Sequence, residues 1–395
     1  MTGERRIVIS LGLAQALFQT CMVLMVTVGG LAGASLAPSP ALATLPIAFT
    51  SLGTAIATFP ASMLMGRVGR RPGFILGAVF GVAGGGMATL AILGGSFWLL
   101  CFATAVVGAY SGFAQFYRFA AAEAASEAFK SRALSLVLAG GVIAALAGPN
   151  LGAATKDLLG PATYAGSFLS VMALSAVAAV LLAFTRIETH ASSASSTEPA
   201  RPLGVIVRQP RFIAAVVGAA VGFAVMVMVM TATPISMVAH DHTVTDAAFV
   251  IQWHVLGMYV PSFFTGWLVK RFGLTPMMLT GLAAFCVHIT IALSGFEVAH
   301  YLSALVLLGL GWNLLYVGGS TLLTETYRPS ERAKVQGLND FLIVGVGAIS
   351  SFSAGALVET FGWRGLNLAV VPLLALAAAV ILGASAFRKR AIAAP

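Results

Sequence analysis

Two pairs of side chains in the second half of the chain offer the plainest chemistry. Met226 and Met230 stand four residues apart in FAVMVMVM, and His254 and Met258 stand four apart in QWHVLGMY. On a helix the members of each pair lie one turn apart on one stripe. Two thioethers facing an imidazole and a third thioether form a soft, neutral ligand set suited to copper, above all Cu(I). Methionine is equally a packing residue, and Met228 points to the other side of its helix. His254 carries more information, because an ionisable group deep in an apolar segment is costly and faces a cavity or a partner. Gln252, Asn313 or a backbone carbonyl would serve as a purely structural partner. Cys21 and Met25, in the first apolar segment, form a second soft pair, with a buried packing cysteine as the other reading.

The elements that must position these residues are membrane-spanning helices. The chain has 395 residues, of which 59% are hydrophobic and only 9% charged, and its mean hydropathy is +0.95. A water-soluble domain carries about a quarter charged residues, so the composition implies an all-α integral membrane protein. Stretches of about 20 apolar residues, enough to span, fall near 7–31, 41–65, 73–94, 97–121, 133–155 and 162–184. Six more fall near 213–238, 247–269, 275–296, 299–324, 334–357 and 364–387, giving an expectation of twelve spans. The polar stretch between the sixth and seventh, residues 188–211, is rich in Ser, Ala and Pro and reads as a flexible cytoplasmic linker. The expected organisation is a six-helix half over 1–187, the linker, and a six-helix half over 212–395. Measured at 1.5 Å per residue, Met230 and Met226 lie roughly 12 and 18 Å below the end of their segment near Val238. His254 and Met258 lie roughly 10 and 17 Å below Ala247. The two pairs share a depth.

Charge placement orients the chain. With a cytoplasmic N-terminus, Arg67, Arg70, Arg71, Arg208, Arg211, Arg271, Arg328 and the cluster Arg388–Arg390 all fall inside, and only Lys156 and Arg364 are left outside. The positive-inside rule therefore puts both termini in the cytoplasm. The formal charge of +9 belongs to these short loops, so no nucleic-acid partner is expected. Three cysteines, all inside apolar segments, imply no disulfide framework. Segment 2 ends in SMLMGRVGRR and segment 8 in GWLVKRFG, so Arg67 and Gly69 pair with Arg271 and Gly273. Such a repeat points to a transporter with its site between two halves. No nucleophile-and-base constellation and no glycine-rich nucleotide loop is present, which argues against an enzyme.

Twelve spans, a central linker and a basic Gly-Arg turn after spans 2 and 8 resemble the major facilitator superfamily over the whole chain. That family's turn runs G-x-x-x-D-R-x-G-R-R; here Ser62 and Gly66 replace its first Gly and its Asp, while Arg67, Arg70 and Arg71 remain. Gly148-Pro149-Asn150-Leu151-Gly152 resembles the G-P-x-x-G of many antiporters. The M-x-x-x-M of span 7 and H-x-x-x-M of span 8 resemble the CcoA-type copper importers of bacterial inner membranes, whose close relatives include riboflavin transporters. The resemblance implies a monomeric carrier in the bacterial inner membrane that imports copper as cargo, without a resident cofactor. Its metal site would comprise Met226, Met230, His254 and Met258; Cys21 and Met25 stand beside this set only as the second soft pair read from the residues.

The alternative is a carrier of riboflavin or another small amphipathic organic molecule. Gln115, Tyr117, Trp253 and Asn313 would then line a substrate cavity, aided by Phe113, Phe116, Trp312 and Tyr316. Gating or coupling is expected at Arg67, Arg70, Arg71 and Asp340, the last being an acid early in span 11. Arg118 either contacts an anionic substrate or snorkels inward. His240 and His242, in the loop before span 8, either capture a metal or are solvated loop residues beside Asp241 and Asp246.

Overall fold

The computed structural model describes residues 3–126, 130–185 and 201–393, and among them every regular element is helical. The first half comprises α1 (Gly3–Leu36), α2 (Leu45–Val68), α3 (Arg70–Leu93), α4 (Phe97–Ala114), α5 (Tyr117–Ala124), α6 (Lys130–Thr155) and α7 (Ala165–Phe184). A short α8 (Leu203–Val207) leads into α9 (Pro210–Ala239), α10 (Val244–Tyr259), α11 (Ser262–Phe272) and α12 (Leu274–Ser294). The chain closes with α13 (Val298–Thr324), α14 (Arg332–Ala369) and α15 (Val371–Ala393). Large apolar side chains stand outward around the bundle: Phe59 is 72% exposed and Phe184 85%. That surface is at home in lipid, where apolar exposure carries no penalty.

Among the described residues, ten stretches are long and apolar enough to cross a membrane. This count and the expected twelve differ at two places. Lys130–Thr155 is helical but is not one of the ten, and Lys334–Ala386 is a single stretch of 53 residues. A straight helix of that length would run roughly 80 Å, more than twice a bilayer core of about 30 Å. Gly362, at φ 67° and ψ −176°, breaks it. Two expected single spans are also interrupted. α4 ends at Ala114 and α5 begins only at Tyr117, and α10 ends at Tyr259, just before Pro261, which has no N–H to continue the ladder.

The repeat in the sequence is a repeat of backbone geometry at the turns. Gly69 joins α2 to α3 at φ 91° and ψ 165°, and Gly273 joins α11 to α12 at φ 87° and ψ 166°. Only glycine adopts that conformation without strain. The same correspondence holds at the helix crossings. α2 meets α4 where Gly53 abuts the Ala105 carbonyl and Gly108 that of Thr50. α10 meets α13 where Gly257 abuts the Val306 carbonyl and Gly309 that of His254. A Cβ on Gly309 would stand 2.5 Å from the His254 carbonyl oxygen, so any larger residue must part the helices. Lipid offers helices no hydrophobic drive to associate, and close approach over small residues supplies the dispersion that holds them.

The linker is partly outside the described residues, as is Arg186. Its described end, from Arg201, is tied down. The Arg201 guanidinium forms a two-pronged pair with Glu331, Nε to Oε1 at 2.8 Å and a terminal nitrogen to Oε2 at 2.7 Å. The Arg201 backbone N–H donates to the same carboxylate at 2.7 Å, and Gln209 donates to the Thr326 carbonyl at 3.1 Å. The second half of the expected linker is therefore a docked segment rather than a flexible one.

Candidate functional site

A cavity of about 260 Å³ lies between the two sets of helices, lined from α1, α2 and α4 on one side and α9, α10 and α14 on the other. The lining follows helical stripes. α9 contributes Phe223, Met226, Val227, Met230 and Thr231, at spacings of i, i+3, i+4, i+7 and i+8. α2 contributes Ile47, Thr50, Ser51 and Thr54, and α10 contributes Ile251, Val255, Met258 and Tyr259. Among the described residues, no side chain on this lining carries a formal charge.

Three of the four principal metal candidates, Met226, Met230 and Met258, line this cavity together with Met25 and Met22. His254 does not. It lies about a quarter turn round α10 from the lining stripe at 3.6 residues per turn, on the side of Gly257 that packs on α13. Its Nδ1 is 2.8 Å from the Leu305 carbonyl oxygen. A carbonyl only accepts, so Nδ1 carries the proton and Nε2 is left bare, buried and without a hydrogen-bond partner. The ring is fully buried. Cys21 also turns away from the cavity: its Sγ packs 3.8 Å from the Val171 carbonyl and from Ser175 Oγ on α7. Met25, its expected soft partner, packs in the same cluster but lines the cavity, which Cys21 does not.

Of the expected substrate-cavity residues, Gln115 lines the cavity. Tyr117 does not, being fully buried edge-on against Phe74 with ring centroids 4.7 Å apart. Trp253 is 44% exposed beside Phe249, on the outer surface of α10. Asn313 repairs the break between α10 and α11. Its amide donates to the Met258 carbonyl at 2.7 Å and to Ser262 Oγ at 2.6 Å, and its oxygen accepts from Thr265 Oγ1 at 2.9 Å. Hydrogen bonds freed by Pro261 explain why an amide sits there.

Residue-by-residue reading of the sequence missed Gln19, Thr231 and Tyr259. Gln19 Nε2 donates to the Tyr259 hydroxyl at 2.6 Å, joining α1 to α10. The signal was present: Gln19, Met22, Val23 and Val26 share one helical stripe, and Gln19 is an amide within an otherwise apolar run. Behind Phe223 and Tyr259, further rings extend the wall. Trp312 stacks on Tyr316 at 4.9 Å, and those two rings reach Tyr259 and Phe223 at 6.3 and 6.4 Å.

The helix ends that bear the arginines form one face of the bundle. There Arg71 donates to the Ala183 carbonyl, the Arg70 guanidinium lies 5.5 Å over the Phe116 ring, and Arg67 is exposed. Asp340 is hydrogen-bonded by Asn339 at 3.1 Å, and Arg118 is its electrostatic partner from the other half. At the opposite face the halves are fastened together. Thr44 Oγ1 donates to the Ser351 carbonyl at 2.9 Å and accepts from Gly355 N–H at 3.0 Å. Asn150, in the Gly-Pro stretch, donates to Gln252 Oε1 at 2.5 Å. His240 and His242 are structural on this face. His240 bonds the Ser236 carbonyl at 2.7 Å and stacks on Phe296 at 4.1 Å, while His242 bonds the Phe296 carbonyl at 2.6 Å. Asp246 caps α10 through Thr243. Among the described residues, no cluster of three or more His, Cys, Asp or Glu side chains is placed to hold a metal ion.

The sequence profile of the Major Facilitator Superfamily matches residues 9–252 and 223–394. The riboflavin transporter RfnT of Brucella anthropi is 43% identical over 376 residues, covering 95% of this chain and 94% of that protein. The MFS-type transporter YddS of Bacillus subtilis is 30% identical over 88% of this chain and 84% of its own length. Among solved structures, a bacterial homolog of the human lysosomal transporter Spinster superposes with a TM-score of 0.73 at 15% identity, covering 98% of this chain and 97% of that one. The nucleoside transporter NupG superposes with a TM-score of 0.72 at 13% identity, covering 97% and 100%.

Proposed function

The chain belongs to the major facilitator superfamily, and within it we propose a carrier of riboflavin, or of a closely similar neutral hydroxylated ring compound. It works by alternating access in the bacterial inner membrane and imports its cargo into the cytoplasm. The observation that carries this reading is the cavity lining: a largely aliphatic and thioether wall set with the amides Gln19 and Gln115, several hydroxyls and the rings of Phe223 and Tyr259, with no formal charge among the described side chains. A flat heterocycle gains from ring faces such as Phe223 and Tyr259, and its polar edge is served by Gln19 and Gln115. A phosphorylated or otherwise charged solute would be desolvated there without a counter-charge. The relationship to a riboflavin transporter along nearly the whole chain supports the same substrate.

A riboflavin auxotroph expressing the chain at limiting vitamin tests the proposal. Growth, with saturable uptake of labelled riboflavin, is expected; neither occurring with a well-inserted protein would reject it. A Gln115→Ala variant should retain insertion and lose most of that uptake.

Copper is a second reading, supported by one observation: Met22, Met25, Met226, Met230 and Met258 all line the cavity. Thioethers are soft ligands for Cu(I). This reading does without His254 as placed. Copper accumulation in importer-deficient cells that is lost in a Met226→Ala/Met230→Ala double variant, together with no riboflavin uptake, would put it in first place.

A further inference from the structure

We infer that the cavity holds its cargo in one orientation, with the flat ring toward the arginine-bearing face and a hydroxylated chain pointing to Thr231 at the fastened face. The inference rests on the proposed riboflavin class of substrate and adds its pose and the residue that reads its chain.

The cavity has two ends of different chemistry. Phe223 and Tyr259 stand at one level, with Gln19 and Gln115 beside them. Thr231 lies eight residues further along α9 than Phe223, about 12 Å nearer the fastened face at 1.5 Å per residue. Ile251 is displaced from Tyr259 by a similar rise along α10. At the fastened end the lining has no ring or amide, and Thr231, Ser51, Thr50 and Thr54 stand there among Ile47, Met230 and Ile251. Thr44 with Ser351 and Gly355, and Asn150 with Gln252, join the halves at this face.

Thr231 is the unusual member. Helical threonines here satisfy their hydroxyls by donating one turn back: Thr233 to the Val229 carbonyl at 2.7 Å, Thr50 to that of Pro46 at 3.1 Å, Thr54 to that of Thr50 at 3.0 Å. Thr231 Oγ1 is buried on the cavity wall with no hydrogen-bond partner. A buried hydroxyl left unpaired is unfavourable; Thr231 is fully buried in the wall of a solute-sized cavity, so a solute that turns its side chain inward supplies the missing partner. The group it meets must itself donate or accept without charge, which a polyol chain does at every carbon. The ring end is bounded by the faces of Phe223 and Tyr259, which a flat heterocycle covers and a polyol chain does not.

The test compares riboflavin with lumiflavin, which has the same ring and a methyl group in place of the chain. Uptake KM for riboflavin and the inhibition constant of lumiflavin are measured for the parent, Thr231→Val and Thr231→Ser at equal membrane abundance. Thr231→Val should raise the riboflavin KM about fivefold to tenfold, the worth of one neutral hydrogen bond, with kcat little changed. Thr231→Ser should restore the parent KM, and lumiflavin inhibition should be the same in all three. An unchanged riboflavin KM in Thr231→Val overturns the inference, and so does an equal weakening of both flavins. Should Thr231→Val fail to insert, alkylation of Thr231→Cys decides: protection by riboflavin but not by lumiflavin supports the pose, and protection by neither or by both overturns it. Parent protein that takes up no riboflavin brings down the substrate reading and the pose with it, whereas normal parent uptake with an indifferent Thr231→Val brings down the pose alone.

Discussion

His254 is where chemistry and position part company. Its residue type and depth suggested a ligand, and both features are real: the ring is fully buried in an apolar helix. Its hydrogen bond to the Leu305 carbonyl makes it a rivet between α10 and α13, beside the glycine crossing at Gly257 and Gly309. His254→Ala is therefore expected to lower stability by about 2 kcal/mol, from lost packing and one hydrogen bond, while leaving the riboflavin KM within about twofold. Thermal unfolding in detergent and uptake kinetics on the same preparation check this. A large rise in KM with unchanged stability would return His254 to the site. The four-residue spacing correctly placed Met226 with Met230 on one stripe, and the stripes of α9 and α2 were legible as apolar periodicity. Periodicity does not say which stripe faces a cavity and which faces a neighbouring helix. On α10 the difference between His254 and Met258 is a rotation of about 40°, decided by where the glycines let α13 approach. Trp253 and Asn313 were misplaced for the same reason, since polar and aromatic types also serve lipid contact and helix repair.

Elements were easier to read than faces. The apolar runs, the Gly69 and Gly273 turns and the repeat they mark all follow from hydropathy and from the conformations open to glycine alone. Breaks inside runs were harder, because a helix interrupted at Gln115–Phe116 or at Pro261 has the same average hydropathy as a continuous one. The linker shows a further limit of composition: Ser, Ala and Pro suggested a loose tether, but Arg201 meets a carboxylate more than a hundred residues later. Glu331 is 1% exposed, and hydrogen bonding by Arg201, with the Arg328 N–H adding, holds its carboxyl down at about 2 against an ordinary value of 4.5. A folded-state value below the unfolded one means the clamp contributes fully above pH 4.5 and fades only as pH falls toward about 2. Amide exchange across residues 201–209 should thus be equally protected at pH 7 and pH 5, once intrinsic rates are allowed for. Glu331→Gln should raise it several-fold at both. Equal protection in the variant would mean that packing of α8, not the ion pair, docks the segment.

At the scale of the molecule, the proposed alternating access requires the fastened face to come apart, so its fastenings must be few and weak enough to break. Thr44 meets that requirement in an informative way. Ser351 O and Gly355 N are one turn apart on α14, and the Thr44 hydroxyl bonds both. The net worth of the latch is about 1 kcal/mol for two membrane hydrogen bonds, little enough to break reversibly. Thr44→Val should shift the ratio of states about fivefold toward the form open at the latch. Ser51 lines the cavity at this end, and Cys286 is the exposed native thiol while Cys21 and Cys101 are buried. In a Cys286→Ser background, Ser51→Cys should react about fivefold faster with an impermeant thiol reagent added from the periplasmic side once Thr44 is Val, and at the original rate when Thr44 is Ser. Reaction that is equally slow with Val at this position would show that Asn150–Gln252 and side-chain packing keep the face closed without Thr44, and that access to the cavity is governed elsewhere.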